Sequence, residues 1–252
     1  MEIAADTQNT ALETTTWREG GKAARPQLPI PKPEKAQFWV DFDGTITRRD
    51  VLDELILKFA ADDSWQEVER LWQSGQIGSL ECLTREFDVV RVEVNELSKF
   101  LDNIPIDPGF ISLLTLLRQR SVPMAILSDG IEQFIKPILA RAGAGELRIR
   151  SNAIDHRGTR LKLLCPHNKK ECQSKAAHCK CASAKELGVP GRAGIYIGDG
   201  RSDLCPARTC QVVFAKGALA RAFKEEGRPY YEFDTLHDVV YVLARAWSST
   251  AG

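Results

Sequence analysis

The sequence predicts an α/β fold: a Rossmann-like open parallel sheet with helices on both faces and a small helical cap inserted after the first strand. Three observations carry this reading. Short, nearly all-apolar runs recur at residues 37–40, 124–127, 195–197 and 211–214, as strands buried on both faces require. Amphipathic helical patterns separate them, and strand–helix alternation is the signature of a layered α/β domain. Three of the four runs end directly in a polar, glycine-containing segment: Asp41-Phe42-Asp43-Gly44-Thr45, Ser128-Asp129-Gly130 and Gly198-Asp199-Gly200.

Taken in order, residues 1–35 read as a disordered or loosely docked extension. They are polar and end in Pro-Gln-Leu-Pro-Ile-Pro-Lys-Pro, whose prolines favour extended chain over helix. The core begins at residue 36 with the first strand and resumes over 105–247. Between its two parts, residues 50–104 contain amphipathic helical stretches and no convincing strand, which predicts a separate cap lobe. Asp107-Pro108 reads as a cap and first-turn proline for a helix carrying Phe110, Leu113, Leu114 and Leu117. Ile131, Phe134, Ile135, Ile138 and Leu139 form the next stripe, closed by Gly143. Leu147-Arg148-Ile149-Arg150 and Arg160-Leu161-Lys162-Leu163 flank Asp155-His156-Arg157-Gly158, a hairpin pattern. Tyr230-Tyr231-Glu232-Phe233 and the region around His237 predict a final strand and helix.

Bulk properties exclude several classes of function. Lys+Arg and Asp+Glu balance at 34 each in 252 residues, so no global field favours nucleic acid or an anionic membrane. No apolar run is long enough to span a bilayer, and no secretory or lipidation signal stands out. The expectation is a soluble, cytoplasmic monomer or homodimer. Seven cysteines, an odd number without an export signal, predict free thiols rather than a disulfide framework.

The chemistry is read from the strand ends. Ligands of open α/β sheets bind outside the carboxyl ends of the strands, so Asp41, Asp43, Ser128 and Asp199 are expected to converge. Residues two apart in extended chain point the same way, which aims Asp41 and Asp43 together while Phe42 turns inward. Adding Asp199 and Asp203 gathers four carboxylates, and such crowding calls for a cation. Hard oxygen ligands suit Mg²⁺. A single Asp-Gly pair marks only a turn; recurrence after three buried strands points to a site.

These segments resemble the motifs of the haloacid dehalogenase superfamily of phosphatases. Asp41-Phe42-Asp43-Gly44-Thr45 with Ile46-Thr47 is similar to its first motif, Ser128 to its second, and Gly198-Asp199-Gly200-Arg201-Ser202-Asp203 to its fourth. The third motif is a lysine, for which Lys180 and Lys185 are candidates. Lys180 is preferred because a cysteine-flanked lysine occurs in the branch that includes the methionine-salvage phosphatase. The resemblance implies a small phosphomonoester substrate, Asp41 as nucleophile and Asp43 as general acid and base. It further implies Mg²⁺ on Asp41, Asp43 and Asp199 with Asp203, and phosphoryl oxygens held by Ser128 and Lys180. Amides near Gly44 and Gly130 are expected to extend that cradle. Asp50 and Asp129 are candidate specificity residues; Asp129 resembles the phosphocholine and phosphoethanolamine phosphatases at this position, and Asp50 reads equally well as a helix cap. A phosphotransferase or mutase shares every motif, and a receiver-like or metal-binding module is the non-enzymatic alternative.

One further cluster stands apart. Cys165, Cys172, Cys179 and Cys181, with His167 and His178 nearby, are candidate ligands for a structural Zn²⁺ that braces the lysine loop, although no Cys-x-x-Cys pair is present.

Overall fold

Continuous apolar runs are driven to the middle of a sheet, and the computed structural model, which describes residues 28–248, places them there. The strands are β1 (Ala36–Val40), β2 (Met124–Ile131), β3 (Arg148–Arg157), β4 (Arg160–Leu164), β5 (Ala193–Gly198), β6 (Val212–Ala215) and β7 (Tyr231–Glu232). They form one seven-stranded sheet in the order β4-β3-β2-β1-β5-β6-β7. Every pairing is parallel except the β3–β4 hairpin. All residues of β1 and β6 are buried. Alternation divides the sheet's two faces. Phe38, Val40, Ile126, Ile197 and Phe214 join one apolar cluster, while Trp39, Leu127, Tyr196 and Val213 join another.

The register levels the strand ends. Val40 lies opposite Ile126 of β2 on one side and Ile197 of β5 on the other. The chain leaves β1 to build β2, β3 and β4 on one side, then returns to add β5 to β7 on the other. This reversal opens a crevice at the carboxyl ends of β1 and β5, directly beyond Asp41.

Residues 50–104 fold as α1 (Val51–Phe59), α2 (Ser64–Gln73), α3 (Ser79–Val89) and α4 (Val94–Asp102). The remaining helices are α5 (Phe110–Gln119), α6 (Glu132–Arg141), α7 (Lys180–Leu187), α8 (Leu204–Arg208), α9 (Gly217–Glu225) and α10 (Leu236–Ser248). Asp50 caps α1 by accepting from Leu52 N–H at 2.8 Å and Asp53 N–H at 3.1 Å. Leu55, Leu83, Phe87, Leu97 and Phe100 belong to the same apolar cluster as Phe38 and Val40. The inserted helices therefore share the main core.

Several expectations change. The Ser128-Asp129-Gly130 segment is the irregular end of β2, with a register shift between Leu127 and Ile131, because β3 keeps pairing beyond it. Asp107 does not cap α5 directly: Gly109 stands at the cap, and Asp107 accepts from Gly109 N–H at 2.8 Å and Leu236 N–H at 3.0 Å. The expectation of free thiols fails at one pair, since Cys181 and Cys205 are bonded; α7 and α8, which carry them, pack side by side. The reading of residues 1–27 lies outside the described residues. Residues 28–35 are held by Tyr231 Oη donating to Leu28 O and Trp247 Nε1 donating to Pro31 O.

Asp107 is 5% exposed and joins the starts of two helices that pack on one sheet face. Asp107→Ala leaves two buried amides without an acceptor, at a cost of about 1–3 kcal/mol each. Urea unfolding is expected to show a lower midpoint with an unchanged slope.

Candidate active site

The β1–β5 crevice is organised around Asp41, whose N–H donates to Ile197 O at 2.9 Å. Phe42 is fully buried, and its carbonyl accepts the amides of Ile46 at 2.9 Å and Thr47 at 3.0 Å. This tight turn, anchored by an aromatic side chain, aims the flanking carboxylates outward. Gly44 has a φ of +70°, and a Cβ there would lie 2.6 Å from Asp199 Oδ2, so both conformation and space demand glycine.

Lys180 ties the far segments to this turn. Its Nζ donates to Asp41 Oδ1 and Asp203 Oδ1 at 2.7 Å each, and to Ser202 Oγ at 3.1 Å. Lys180 is 3% exposed. Burial opposes its charge, but Asp203 and Asp41 win and hold its pKa above the ordinary lysine range. Asp203 is fully buried and accepts from four groups. Tyr196 Oη at 2.6 Å shares Oδ1 with the lysine, and the amides of Asp199 and Gly200 reach Oδ2 at 3.0 Å each.

The remaining acids differ in environment. Burial, then the Asp203 carboxylate, raise Asp41 well above the usual carboxylate range, while Lys180 pulls it back. Asp43 accepts from Val51 N–H at 3.1 Å and from Ser128 Oγ at 3.0 Å. Burial and the neighbouring Asp50 push its carboxyl to about 8. Asp199 is pushed to about 6 by burial and Asp203, and Thr45 Oγ1 donates to its Oδ1 at 2.9 Å.

Carboxylate oxygens of Asp41, Asp199 and Asp203 lie within 4.8 Å of one another. One lysine faces these three acids and Asp43, so the cluster carries excess negative charge in a buried place. An oxygen-only set with that imbalance fits Mg²⁺. Both oxygens of Asp203 are already engaged by protein donors, which favours Asp41 and Asp199 as direct ligands.

The sequence-predicted residues converge unevenly. Asp41, Asp43, Ser128, Lys180, Asp199 and Asp203 meet at one place, whereas Lys185 is exposed on α7 away from it. The two glycine amides expected to cradle an anion are engaged elsewhere. Gly44 N–H donates to Thr47 Oγ1 at 3.2 Å and Gly130 N–H to Ser128 Oγ at 2.8 Å. Gly130 serves by clearance, since a Cβ would sit 2.4 Å from Asp43 Oδ2. The expected zinc site does not form. Cys181 is bonded to Cys205, Cys165 packs against the apolar core and Cys172 neighbours Cys179, and these cysteines do not gather three ligand atoms at one point among the described residues.

A cavity of about 860 Å³ opens from Asp41 and Asp43 toward α1, α2 and α3. Its wall holds Asp50, Glu69 and Glu86, with Asp53, Arg48 and Arg221 exposed at the rim. Burial and mutual repulsion raise all four acids, Asp53 to about 7 and Glu86 to about 8. Sequence reading missed Asp53, Glu69 and Glu86. The available signal was Glu86 inside the apolar stripe of α3 between Leu83 and Phe87, where a solvated acid has no place. It also missed Tyr196, and the role of His178, whose ring bonds Ser128 O at 2.8 Å and Ser183 Oγ at 2.7 Å.

Comparison with known proteins agrees with this geometry. Residues 38–219 match the model of the family described as Putative Phosphatase. The 2-hydroxy-3-keto-5-methylthiopentenyl-1-phosphate phosphatase of Brevibacillus brevis is 28% identical over 213 residues, covering 83% of this chain and 96% of that protein. The protein of that name in Geobacillus kaustophilus is 29% identical over 211 residues, covering 82% and 95%. Among solved structures, a haloacid dehalogenase family hydrolase from Salmonella enterica serovar Typhi superposes with a TM-score of 0.67 at 18% identity, covering 85% of this chain and 72% of that one. A substrate-bound phosphoserine phosphatase gives 0.64 at 15%, covering 83% and 98%; at these identities the likeness is one of fold. The match spans the strands and turns that carry the acid cluster, and the chain belongs to the Putative Phosphatase family.

Proposed function

We propose that this chain is a Mg²⁺-dependent phosphomonoesterase that works through an aspartyl-phosphate on Asp41, with residues 50–104 as a cap over the substrate. One observation carries the reading: Lys180 Nζ bridges Asp41 and Asp203 at 2.7 Å inside a buried acid cluster at the mouth of a large cavity. Lys180 leaves Asp41 Oδ1 engaged and its other oxygen free to approach phosphorus.

In the first step an Asp41 oxygen forms a bond to phosphorus as the bond to the leaving oxygen breaks. Asp43, whose carboxyl burial and the neighbouring Asp50 push up to about 8, passes a proton to the departing alkoxide. In the second step Asp43 takes a proton from water, whose oxygen bonds phosphorus. The Asp41–phosphorus bond breaks, releasing phosphate and the free carboxylate. Ser128 donates to Asp43, and Lys180 to Asp41, Ser202 and Asp203, so each holds a phosphoryl oxygen by exchanging one of these bonds for it when substrate enters. Asp41, Asp199 and the Asp43 carbonyl would hold Mg²⁺, with Asp203 supporting them, and the ion would supply positive charge against phosphate and the carboxylates.

The substrate class follows from the cavity. Its size suits a small metabolite, and the inner carboxylates disfavour a second anionic group at the cap end. The bacterial relatives' 2-hydroxy-3-keto-5-methylthiopentenyl-1-phosphate is an uncharged-headgroup candidate, and phosphocholine a cationic one. A panel of phosphomonoesters assayed with Mg²⁺ and with chelator selects among them. Activity is expected to vanish with chelator and return with Mg²⁺; undiminished turnover in chelator contradicts the metal assignment.

Asp41→Asn is expected to lower kcat on the order of 10⁴-fold or more while the circular dichroism spectrum stays native. The lysine assignment is tested separately. Lys185→Ala is expected to keep kcat within about twofold of the wild type, as exposed substitutions do. Lys180→Met strands two buried carboxylates, costing roughly 3–5 kcal/mol, and eliminates turnover. The reverse pattern rules out Lys180.

A further inference from the structure

Asp129 lines the same cavity as the catalytic acids, which invites a role in reading the substrate. Its hydrogen bonds argue otherwise. Oδ2 accepts from Ser79 Oγ at 2.9 Å, at the first residue of α3. Oδ1 accepts from His178 N–H at 2.9 Å, two residues before Lys180. Both oxygens are thus committed to protein donors on different segments.

The circuit closes on itself. Ser79 Oγ, which gives its hydrogen to Asp129, accepts the N–H of Ala177 at 3.0 Å. Asp129, Ser79, Ala177 and His178 therefore form a ring of hydrogen bonds, with Ser79, Ala177 and His178 all buried. Beside it, Leu80 N–H donates to Lys175 O at 3.2 Å. A Cβ at Gly78 would lie 2.3 Å from that same carbonyl, so the two backbones meet at a distance only glycine allows. On the sheet side, Asn152 Nδ2 donates to Asp129 O at 2.6 Å, and the His178 ring bonds Ser128 O.

The placement of this ring matters because residues 165–179 form no helix or strand. Their position, and hence the start of α7 at Lys180, rests on bonds to neighbours. Asp129 is the member fixed in the sheet. We propose that Asp129 is a positioning residue, a brace that couples docking of the cap helix α3 to the placement of Lys180 against Asp41. When Ser79 moves away, Ala177 N–H loses its acceptor, Lys175 O loses the Leu80 amide and Asp129 Oδ2 loses its donor, so the segment ahead of Lys180 keeps only the bonds of His178 and the lysine loses its aim. The phosphate site is then assembled only with the cap in place. The catalytic half of this proposal rests on the phosphatase reading above; the brace itself does not.

The test uses the full chain carrying Ser79→Ala, Asp129→Asn, or both. Amide hydrogen exchange is followed by mass spectrometry in peptides covering residues 76–83 and 174–180. Each single variant is expected to speed exchange in both peptides about tenfold, the effect of losing one charge-assisted hydrogen bond. The double variant is expected to add little, as members of one circuit do. Peptides from β5 and α9 serve as the folding control and stay unchanged. Kinetics on 4-nitrophenyl phosphate and phosphocholine are expected to show kcat reduced to a similar degree for both, with KM nearly constant. Unchanged exchange at 174–180 overturns the brace. A rise in KM confined to phosphocholine, with normal exchange, makes Asp129 a reader of the leaving group instead. Faster exchange with full kcat overturns the coupling to Lys180. A wild-type protein inactive on every phosphomonoester sinks the phosphatase reading and the catalytic coupling, while exchange still decides the brace.

Discussion

A buried ammonium can persist only between carboxylates, and a buried carboxylate cluster can persist only around a cation. Lys180, Asp41 and Asp203 satisfy both conditions at once, with contacts of 2.7 Å on either side of Nζ. Removing any one of the three leaves the others charged in a medium that penalises charge. Asp41 comes from the end of β1, Lys180 from the start of α7 and Asp203 from the turn after β5. The ion pairs thus fix the relation of three segments the chain keeps far apart. The arrangement of Tyr196, Asp199 and Gly200 around Asp203 follows from the need to satisfy its remaining lone pairs.

Much of the fold was legible because a strand buried on both faces has to be apolar throughout. The runs ending at Asp41, Ser128 and Asp199 therefore announced themselves, and leaving the sheet at its carboxyl edge, they brought the acids of the site together. Strands lacking that pressure were harder to read in detail. β7 has two residues, and the end of β2 holds polar residues and a register shift that looked like a turn.

Within the site, residues marked by their own chemistry were legible as members: the structure brings the paired acids, Ser128 and Lys180 together and leaves Lys185 outside. Contacts that depend on a distant partner were not legible. Tyr196 needs Asp203, His178 needs Ser128 and Ser183, and Asp129 needs Ser79, 50 positions away in sequence. Gly44 and Gly130 looked like anion-binding amides, but their amides are spent locally and their missing Cβ atoms make room for Asp199 and Asp43. The cysteines looked like one cluster because they are close in sequence; Cys181 on α7 is instead bonded to Cys205 on α8. Proximity along a loop says little about the direction of side chains.

The central claim is that Asp41 takes the phosphoryl group. It is tested most directly by quenching the enzyme in acid during turnover, reducing any acyl phosphate with borohydride, and mapping the peptides by mass spectrometry. The account predicts conversion of Asp41 to the reduced residue only when substrate and Mg²⁺ are present together. Steady turnover with Asp41 unmodified, or modification at Asp43 instead, would contradict it.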